Sequence, residues 1–341
     1  MKRITLELGE RSYDINIGRG LLSRANEYFN LNRRCVILTD SGVPKEYAES
    51  VAALCAEARI ITVPEGESSK CLDIYGRVLS EMVDFGMTRS DCAIAVGGGV
   101  CGDLCGFCAA SYMRGIDFYN IPTTVLSQVD SSIGGKVAVN LGVVKNIVGA
   151  FYQPKGVLID PDVLKTLPPR QISNGLCEAV KMALTSDKEL FELFEREDIG
   201  EDNIEDIIYR SLMIKKCVVE NDEREAGLRK ILNFGHTFGH GIEACEELSG
   251  LYHGECVAIG MTAVCSEAVR ARLIPVLKKL SLPTSYGGDV ERALGFISHD
   301  KKCEGSSLSA VYVDEVGSFR IEKLSTKEFC DRVRQSIKNN L

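Results

Sequence analysis

Apolar and polar positions alternate through residues 1–20, MKRITLELGERSYDINIGRG, and this period of two predicts paired strands. From residue 35 to 122 the pattern switches between two periods. CVILTD (35–40) is a short β-branched run, and VPKEYAESVAALCAEA behind it reads as helix. RIITVPEGE is the next strand and CLDIYGRVLSEMVDFGM the next helix. CAIAVGGG (92–99) is a third strand that runs into glycines, followed by a helix and then FYNIPTT. Strands alternating with helices of this length predict a parallel sheet covered by helices on both faces. Residues 151–169, FYQPKGVLIDPDVLKTLPP, carry Pro154, Pro161 and Pro168 ahead of Pro169 and read as the crossing between domains. From about 170 the pattern is almost wholly helical, as in NGLCEAVKMALT, KELFELFERE, NIEDIIYRSLMIKKCVVEND and ECVAIGMTAVCSEAVRARL. The expectation is an α/β N-terminal domain over 1–168 with a parallel-type sheet, and an all-α C-terminal domain over 169–341.

Composition narrows the classes. The chain has 341 residues, 45% hydrophobic and 26% charged, which suits a soluble protein with two cores. A net charge of −8 argues against nucleic acid or an anionic membrane surface as partner, because phosphates call for a basic face. The opening residues lack the basic, apolar and small-residue order of a secretory leader. No stretch approaches the roughly 18 apolar residues of a membrane span. The expected place is the cytoplasm. The fourteen cysteines lie scattered in apolar runs such as RRCVILTD and TAVCSEAV. They are expected to be reduced and to pack as small hydrophobes.

Several stretches carry candidate chemistry. GGGVCG (97–102) fits G-x-G-x-x-G between a strand and a helix, where glycines let backbone N–H groups approach a phosphate. It follows the third strand of the alternation, so it does not sit where the ordinary dinucleotide fingerprint sits. Asp40, ending an earlier strand, is a candidate for a ribose hydroxyl. CGDLCGFC (101–108) has the C-x-x-x-C-x-x-C spacing of an iron–sulfur site, yet on a helix those positions share one face and are expected to pack in a core. DSSIGGKVAVN (130–140) and VVKNIVGAFYQP (143–154) set Asp130, Lys136, Lys145 and Asn146 among glycines, as an anion site or a polar loop would. Glu178 and Lys181 are three apart on one helical face, where a surface ion pair is the plain alternative.

Three of the four histidines fall between 236 and 253. His236 and His240 in LNFGHTFGH are four apart and can face one metal from one helix, as in H-E-x-x-H. Thr237 stands where a protease would have its glutamate, so that activity is excluded. Three protein ligands and an open position would make a metal site catalytic. A carboxylate is the natural third ligand, and spacing alone leaves open which one.

Taken in order, VGGGVCGDLCGFCAASYMRG, IPTTVLSQVDSSIGGKVAVN, KNIVGAFYQP, EAVK, DEREAGLRKILNFGHTFGH and HGECVAIGM resemble the 3-dehydroquinate synthase family of sugar phosphate cyclases. These enzymes perform the second step of the shikimate pathway. The likeness runs from about residue 35 to 303, and DSSIGGK favours this family over cyclases acting on other sugar phosphates. The resemblance implies an NAD-binding α/β domain, a helical metal- and substrate-binding domain, and an active site in the cleft between them. It implies that Glu178, His236 and His253 hold Zn²⁺, for which Co²⁺ can substitute, and that His240 contacts substrate and phosphate. Catalytic roles fall on Asp130, Lys136, Lys181, Lys215 and His240. Substrate contacts fall on Arg114, Lys136, Asn146, Arg229, Asn233 and His240. NAD contacts fall on Asp40, Glu67, Lys70, Gly98, Gly99, Asp103, Thr123, Thr124, Lys136 and Lys145. Lys301 or Lys302 would close on the phosphate. Arg114 would reach the neighbouring subunit's site, which implies a homodimer.

The implied substrate is 3-deoxy-D-arabino-heptulosonate 7-phosphate and the implied product 3-dehydroquinate. Hydride passes from C5 to NAD⁺, phosphate leaves by elimination, hydride returns, and an intramolecular aldol step closes the ring. The substrate phosphate can itself serve as the base. Three rivals remain: a metal-dependent polyol dehydrogenase, another sugar phosphate cyclase, and a non-catalytic metal- or nucleotide-binding regulator. Lys136, Lys145, Lys181 and Lys215 favour a phosphorylated substrate over a polyol.

Overall fold

The opening alternation forms a hairpin: β1 (Lys2–Leu6) pairs antiparallel with β2 (Tyr13–Ile17), with buried Ile4 opposite buried Ile15. The computed structural model describes residues 1–142, 144–246, 250–300 and 307–338, with 298–300 described by backbone alone. Two units divide the chain, Met1–Pro168 and Pro169–Leu341.

The first unit continues through β3 (Arg34–Asp40), α1 (Lys45–Ala52), β4 (Glu57–Val63), α2 (Leu72–Asp84), β5 (Cys92–Gly97) and α3 (Gly99–Ser111). Then come β6 (Asp117–Pro122), β7 (Lys136–Leu141), β8 (Val144–Phe151) and β9 (Gly156–Ile159). One sheet has the order β1-β2-β9-β6-β5-β3-β4, and all of its pairs but β1–β2 are parallel. β5 is buried along its whole length and β3 along most of it, because helices cover both faces. Alternate residues divide between two cores. Val36, Leu38, Ala93 and Ala95 pack with Met82 of α2 and Leu104 of α3, while Cys35, Ile37, Cys92 and Ile94 pack with Ala48 and Val51 of α1.

Two stretches of this unit differ from expectation. The segment 151–169 is more than a crossing, because β9 lies inside it, fully buried between β2 and β6 and parallel to both. Four residues between prolines are too short to show a period. The glycine-rich stretches around 136–151 are not plain loops either: β7 and β8 form an antiparallel hairpin. β8 is exposed along nearly its whole length, so it lacks the alternation that marks a half-buried strand.

The second unit contains α4 (Pro169–Ser186), α5 (Lys188–Arg196), α6 (Ile204–Asn221), α7 (His236–Cys245), α8 (His253–Ala263), α9 (Glu267–Lys279) and α10 (Val290–Asp300). β10 (Ser307–Tyr312), β11 (Arg320–Ser325) and α11 (Thr326–Lys338) follow. The helical expectation holds with one correction: β10 and β11 form an antiparallel hairpin. The run 255–273 is broken at Ser266, whose hydroxyl accepts the Val269 N–H at 3.2 Å and caps α9. α8 is buried from Gly254 to Ala263, as befits a helix apolar on every side. No helix among the described residues is long and apolar enough to cross a membrane.

Candidate active site

Close backbone approach sets the geometry of the histidine cluster. Gly235 stands before α7 with φ +78°, and a Cβ there would lie 2.8 Å from the Val257 carbonyl oxygen. A Cβ on Gly260 would lie 1.9 Å from the Gly235 carbonyl oxygen, so α7 and α8 touch main chain to main chain. The start of α8 is pinned to α4, where the Asn174 side-chain oxygen accepts the Gly254 N–H at 2.6 Å. Glu178 sits one turn beyond Asn174. These contacts bring α4, α7 and α8 together at Glu178, His236 and His253.

Glu178 Oε1 lies 3.8 Å from His236 Nε2 and 3.6 Å from His253 Nε2. These separations exceed hydrogen bonds but approach the ~3.3 Å between tetrahedral ligands at zinc bond lengths of about 2.0–2.1 Å. Both rings are oriented through their other nitrogen. His236 Nδ1 lies 3.1 Å from the Phe234 carbonyl oxygen, and His253 Nδ1 lies 3.4 Å from Glu243 Oε2. Such partners turn Nε2 toward a metal. Burial, then the nearby Lys181, hold His236 well below the usual histidine range, so its ring is neutral and has a lone pair to give. For His253, burial acts downward, but the Glu243 hydrogen bond and the Glu178 charge outweigh it and raise the pKa. One nitrogen or oxygen atom from each of Glu178, His236 and His253 lies within 4.8 Å of the others, and the donor set suits a divalent ion. His240, Glu243 and His253 form a second such group.

Glu178 and Lys181 are paired, and both are buried at 1% exposure, so the surface ion-pair alternative is excluded. Lys215 on α6 and Arg229 are also buried. The Arg229 guanidinium donates to the Glu223 carbonyl, and Asn233 Nδ2 donates to Glu225 Oε1 at 2.8 Å. Lys181, Lys215 and Arg229 thus place three buried cations in the second unit of an acidic chain.

The first unit gathers a separate set. Asp40 ends β3, Gly98 and Gly99 lead from β5 into α3, and Thr123 and Thr124 follow β6. These are carboxyl ends of adjacent parallel strands, the end where open α/β sheets bind ligands. A Cβ on Gly98 would lie 3.1 Å from Thr124 Cγ2, and one on Gly99 3.1 Å from Ser131 Oγ, so side chains there would crowd the helix N-terminus. Asp40 accepts the Gly42 N–H at 2.9 Å and the Cys101 thiol at 3.2 Å. Lys70 donates to both Asp103 and Asn146, and Asn140 Nδ2 donates to Glu67 Oε1 at 2.8 Å. The Asn146 N–H donates in turn to Asn140 Oδ1. Asn146, expected by resemblance to contact substrate, thus sits in one network with Glu67, Lys70 and Asp103, which the resemblance implies for NAD. Asp130 lies in the π-turn Ser127–Ser131, while Lys136, Lys145 and Arg114 are exposed. Lys301 and Lys302 lie outside the described residues.

Sequence reasoning missed Asn140, Asn174 and Glu243. Glu243 was within reach of pattern, since it follows His240 by three on the same helix. Asn140 and Asn174 act through backbone N–H groups or network partners that no spacing shows.

Family models describe two parts of the chain. The model for the 3-dehydroquinate synthase N-terminal domain matches residues 60–174, and that for the C-terminal domain matches residues 175–303. A 3-dehydroquinate synthase from Streptococcus sanguinis (strain SK36) is 42% identical over 347 residues, covering 96% of this chain and 98% of that one. The chain belongs to the 3-dehydroquinate synthase family. Solved structures of cyclases acting on other substrates share the fold of this family member. A 2-deoxy-scyllo-inosose synthase complexed with carbaglucose-6-phosphate, NAD⁺ and Co²⁺ superposes with TM-score 0.86 at 26% identity, over 98% of this chain and 100% of that one. A 2-epi-5-epi-valiolone synthase from Streptomyces hygroscopicus subsp. jinggangensis 5008, with NAD⁺ and Zn²⁺ bound, gives 0.85 at 27%, over 98% and 99%.

Proposed function

We propose that this family member converts 3-deoxy-D-arabino-heptulosonate 7-phosphate to 3-dehydroquinate and phosphate, by transient oxidation, elimination, reduction and aldol closure. The single observation that carries the reading is the Glu178, His236 and His253 group on a helical unit that also buries Lys181, Lys215 and Arg229. When bound, NAD⁺ supplies reversible hydride transfer and the divalent ion supplies Lewis acidity toward substrate oxygens. In this reading Glu178, His236 and His253 hold the ion, with Zn²⁺ or Co²⁺ suited to the donor set. His240, Lys181, Lys215, Arg229 and Asn233 orient the phosphorylated sugar acid and neutralise its charge as phosphate departs. Asp40, Glu67, Lys70, Gly98, Gly99, Asp103, Thr123, Thr124, Lys136 and Lys145 hold the dinucleotide. Asp130, Lys136 and Asn146 complete the set, so the reading draws the dinucleotide contacts from the first unit and the metal ligands from the second.

The same reading makes the protein a homodimer of the cytoplasm. Leu141, Val144, Ile147 and Phe151 of the β7–β8 hairpin are exposed apolar side chains. The Tyr152 hydroxyl after that hairpin donates to the Ile116 carbonyl at 2.7 Å, placing the Arg114 turn beside it. A second copy would cover this surface and receive Arg114.

Incubation with the heptulosonate phosphate, NAD⁺ and Zn²⁺ tests the reaction. Equimolar phosphate and 3-dehydroquinate are expected, with no net NADH. Absence of phosphate release overturns the proposal, and NADH accumulating with turnover would point to a polyol dehydrogenase.

A further inference from the structure

Cys101, Cys105 and Cys108 all lie on α3, yet their thiols meet different surroundings. Cys105 and Cys108 pack with Val36 and Leu104 in an apolar core. Cys101 is also fully buried, but it sits in the first turn of α3 and donates its S–H to Asp40 Oδ2 at 3.2 Å. Asp40 Oδ1 accepts the Gly42 N–H at 2.9 Å. The carboxylate is thus held at one oxygen by α3 and at the other by its own turn. Gly97 leaves room for the contact: a Cβ there would lie 2.5 Å from Cys101 Sγ and 3.6 Å from Asp40 Oδ2. The Thr123 N–H donates to the Gly97 carbonyl at 3.0 Å and fixes that backbone. Burial, then the charge and hydrogen bond of Asp40, hold the Cys101 thiol well above the usual thiol range. The proton therefore stays on sulfur, and Cys101 is a donor rather than a thiolate.

We propose that Cys101 is a positioning residue for dinucleotide binding, which presents the Asp40 carboxylate as a pair of acceptors for the vicinal diol of a ribose. The inference rests on the reading of the first unit as the source of the NAD contacts. An ionised carboxylate offers about four acceptor sites, two on each oxygen. Cys101 and Gly42 take one each, on different oxygens, so both oxygens keep a site for a ligand. Two neighbouring acceptors match two adjacent hydroxyl donors. A ribose with a 2′-phosphate lacks one of those donors and brings negative charge against Asp40. Without the thiol, the ligand itself has to order Asp40, and that cost falls on affinity. The thiol touches Asp40 alone in this scheme, so its effect on binding passes wholly through that side chain.

Calorimetric titration of the full-length, zinc-loaded protein with NAD⁺ tests this. Cys101→Ala should raise the Kd roughly 2- to 10-fold, as expected for the loss of one weak hydrogen bond. Cys101→Val, which fills the space without a donor, should behave in the same way. Cys101→Ser keeps an O–H donor and should bind like wild type. Asp40→Ala should weaken binding more than Cys101→Ala does. Adding Cys101→Ala to Asp40→Ala should then change the Kd by less than about 2-fold, because the thiol has nothing left to hold. An equal loss from Cys101→Ala in both backgrounds would overturn the proposal, since the thiol would then act through packing alone. Unchanged affinity in Cys101→Ala and Cys101→Val would overturn it too. A wild-type protein that binds no NAD⁺ would overturn the reading of the first unit, and the proposal with it.

Discussion

His253 Nε2 lies 3.6 Å from Glu178 Oε1, while Nδ1 of the same ring lies 3.4 Å from Glu243 Oε2. His253 therefore belongs to both candidate metal groups, and its replacement removes metal under either arrangement. Glu178 and His240 separate the two. Glu178→Ala is expected to lose zinc on dialysis, whereas His240→Ala is expected to retain it and to show a raised KM for substrate. Glu243→Gln should keep the ion with affinity weakened about 10- to 100-fold, the usual effect of losing an orienting partner. Zinc content by mass spectrometry decides. Loss from His240→Ala with retention by Glu178→Ala would place the ion on His240, Glu243 and His253.

The Glu178–Lys181 pair makes the metal and the fold interdependent. Removing one partner of a buried pair costs about 3–5 kcal/mol, because the other charge is left without compensation. Lys181→Met should therefore lower the thermal midpoint of the metal-free protein by roughly 6–20 °C at about 2–4 °C per kcal/mol. Added zinc should restore much of this, since the ion neutralises Glu178. Calorimetry with and without zinc checks it; an equal loss in both states would show that the pair stabilises through packing alone.

The parallel sheet was legible because β3 and β5, buried on both faces, read as unbroken apolar runs between glycines and helices. β9 was not, since four residues between Pro154 and Pro161 carry no period. β8 was hidden by its exposure. Among the site residues, motif resemblance singled out Glu178, but spacing could not, because 58 and 75 positions separate it from His236 and His253 and only the docking of α4 on α8 closes that gap. The i, i+4 histidines pointed to α7, which contributes to both candidate metal groups. Their rings do lie 5.3 Å apart, yet Glu178 Oε1 stands near His236 and His253, which only the glycine contact of α7 with α8 could reveal.

The exposed hairpin gives a test of assembly. Ile147→Asp is expected to shift the protein toward monomer in light scattering and to lower activity. Arg114→Ala and Lys215→Ala should each be nearly inactive as pure dimers. Mixed and reassociated, they should regain activity, because one site of the mixed dimer has both residues intact. Mixed dimers that form without regaining activity would show that Arg114 does not serve the neighbouring site.

Glu322 links the second-unit hairpin to α11. Arg332 donates to its Oε1 at 2.7 Å and Oε2 at 2.9 Å, and Arg320 donates to it as well. The hydrogen bonds from Arg332, then those from Arg320, outweigh desolvation and bring its pKa from 4.5 down to about 2. A lowered carboxylate pKa means that the folded state sheds this proton more readily than the unfolded one. Its stabilising contribution is therefore complete above pH 4.5 and is lost as pH falls from 4.5 toward about 2. Glu322→Gln should flatten that part of the thermal-midpoint profile and leave the profile above it parallel to wild type. The group is about a third exposed, so solvent screening should keep the effect modest and high salt should shrink it. An unchanged slope below pH 4.5 in Glu322→Gln would mean that other carboxylates carry the acid sensitivity.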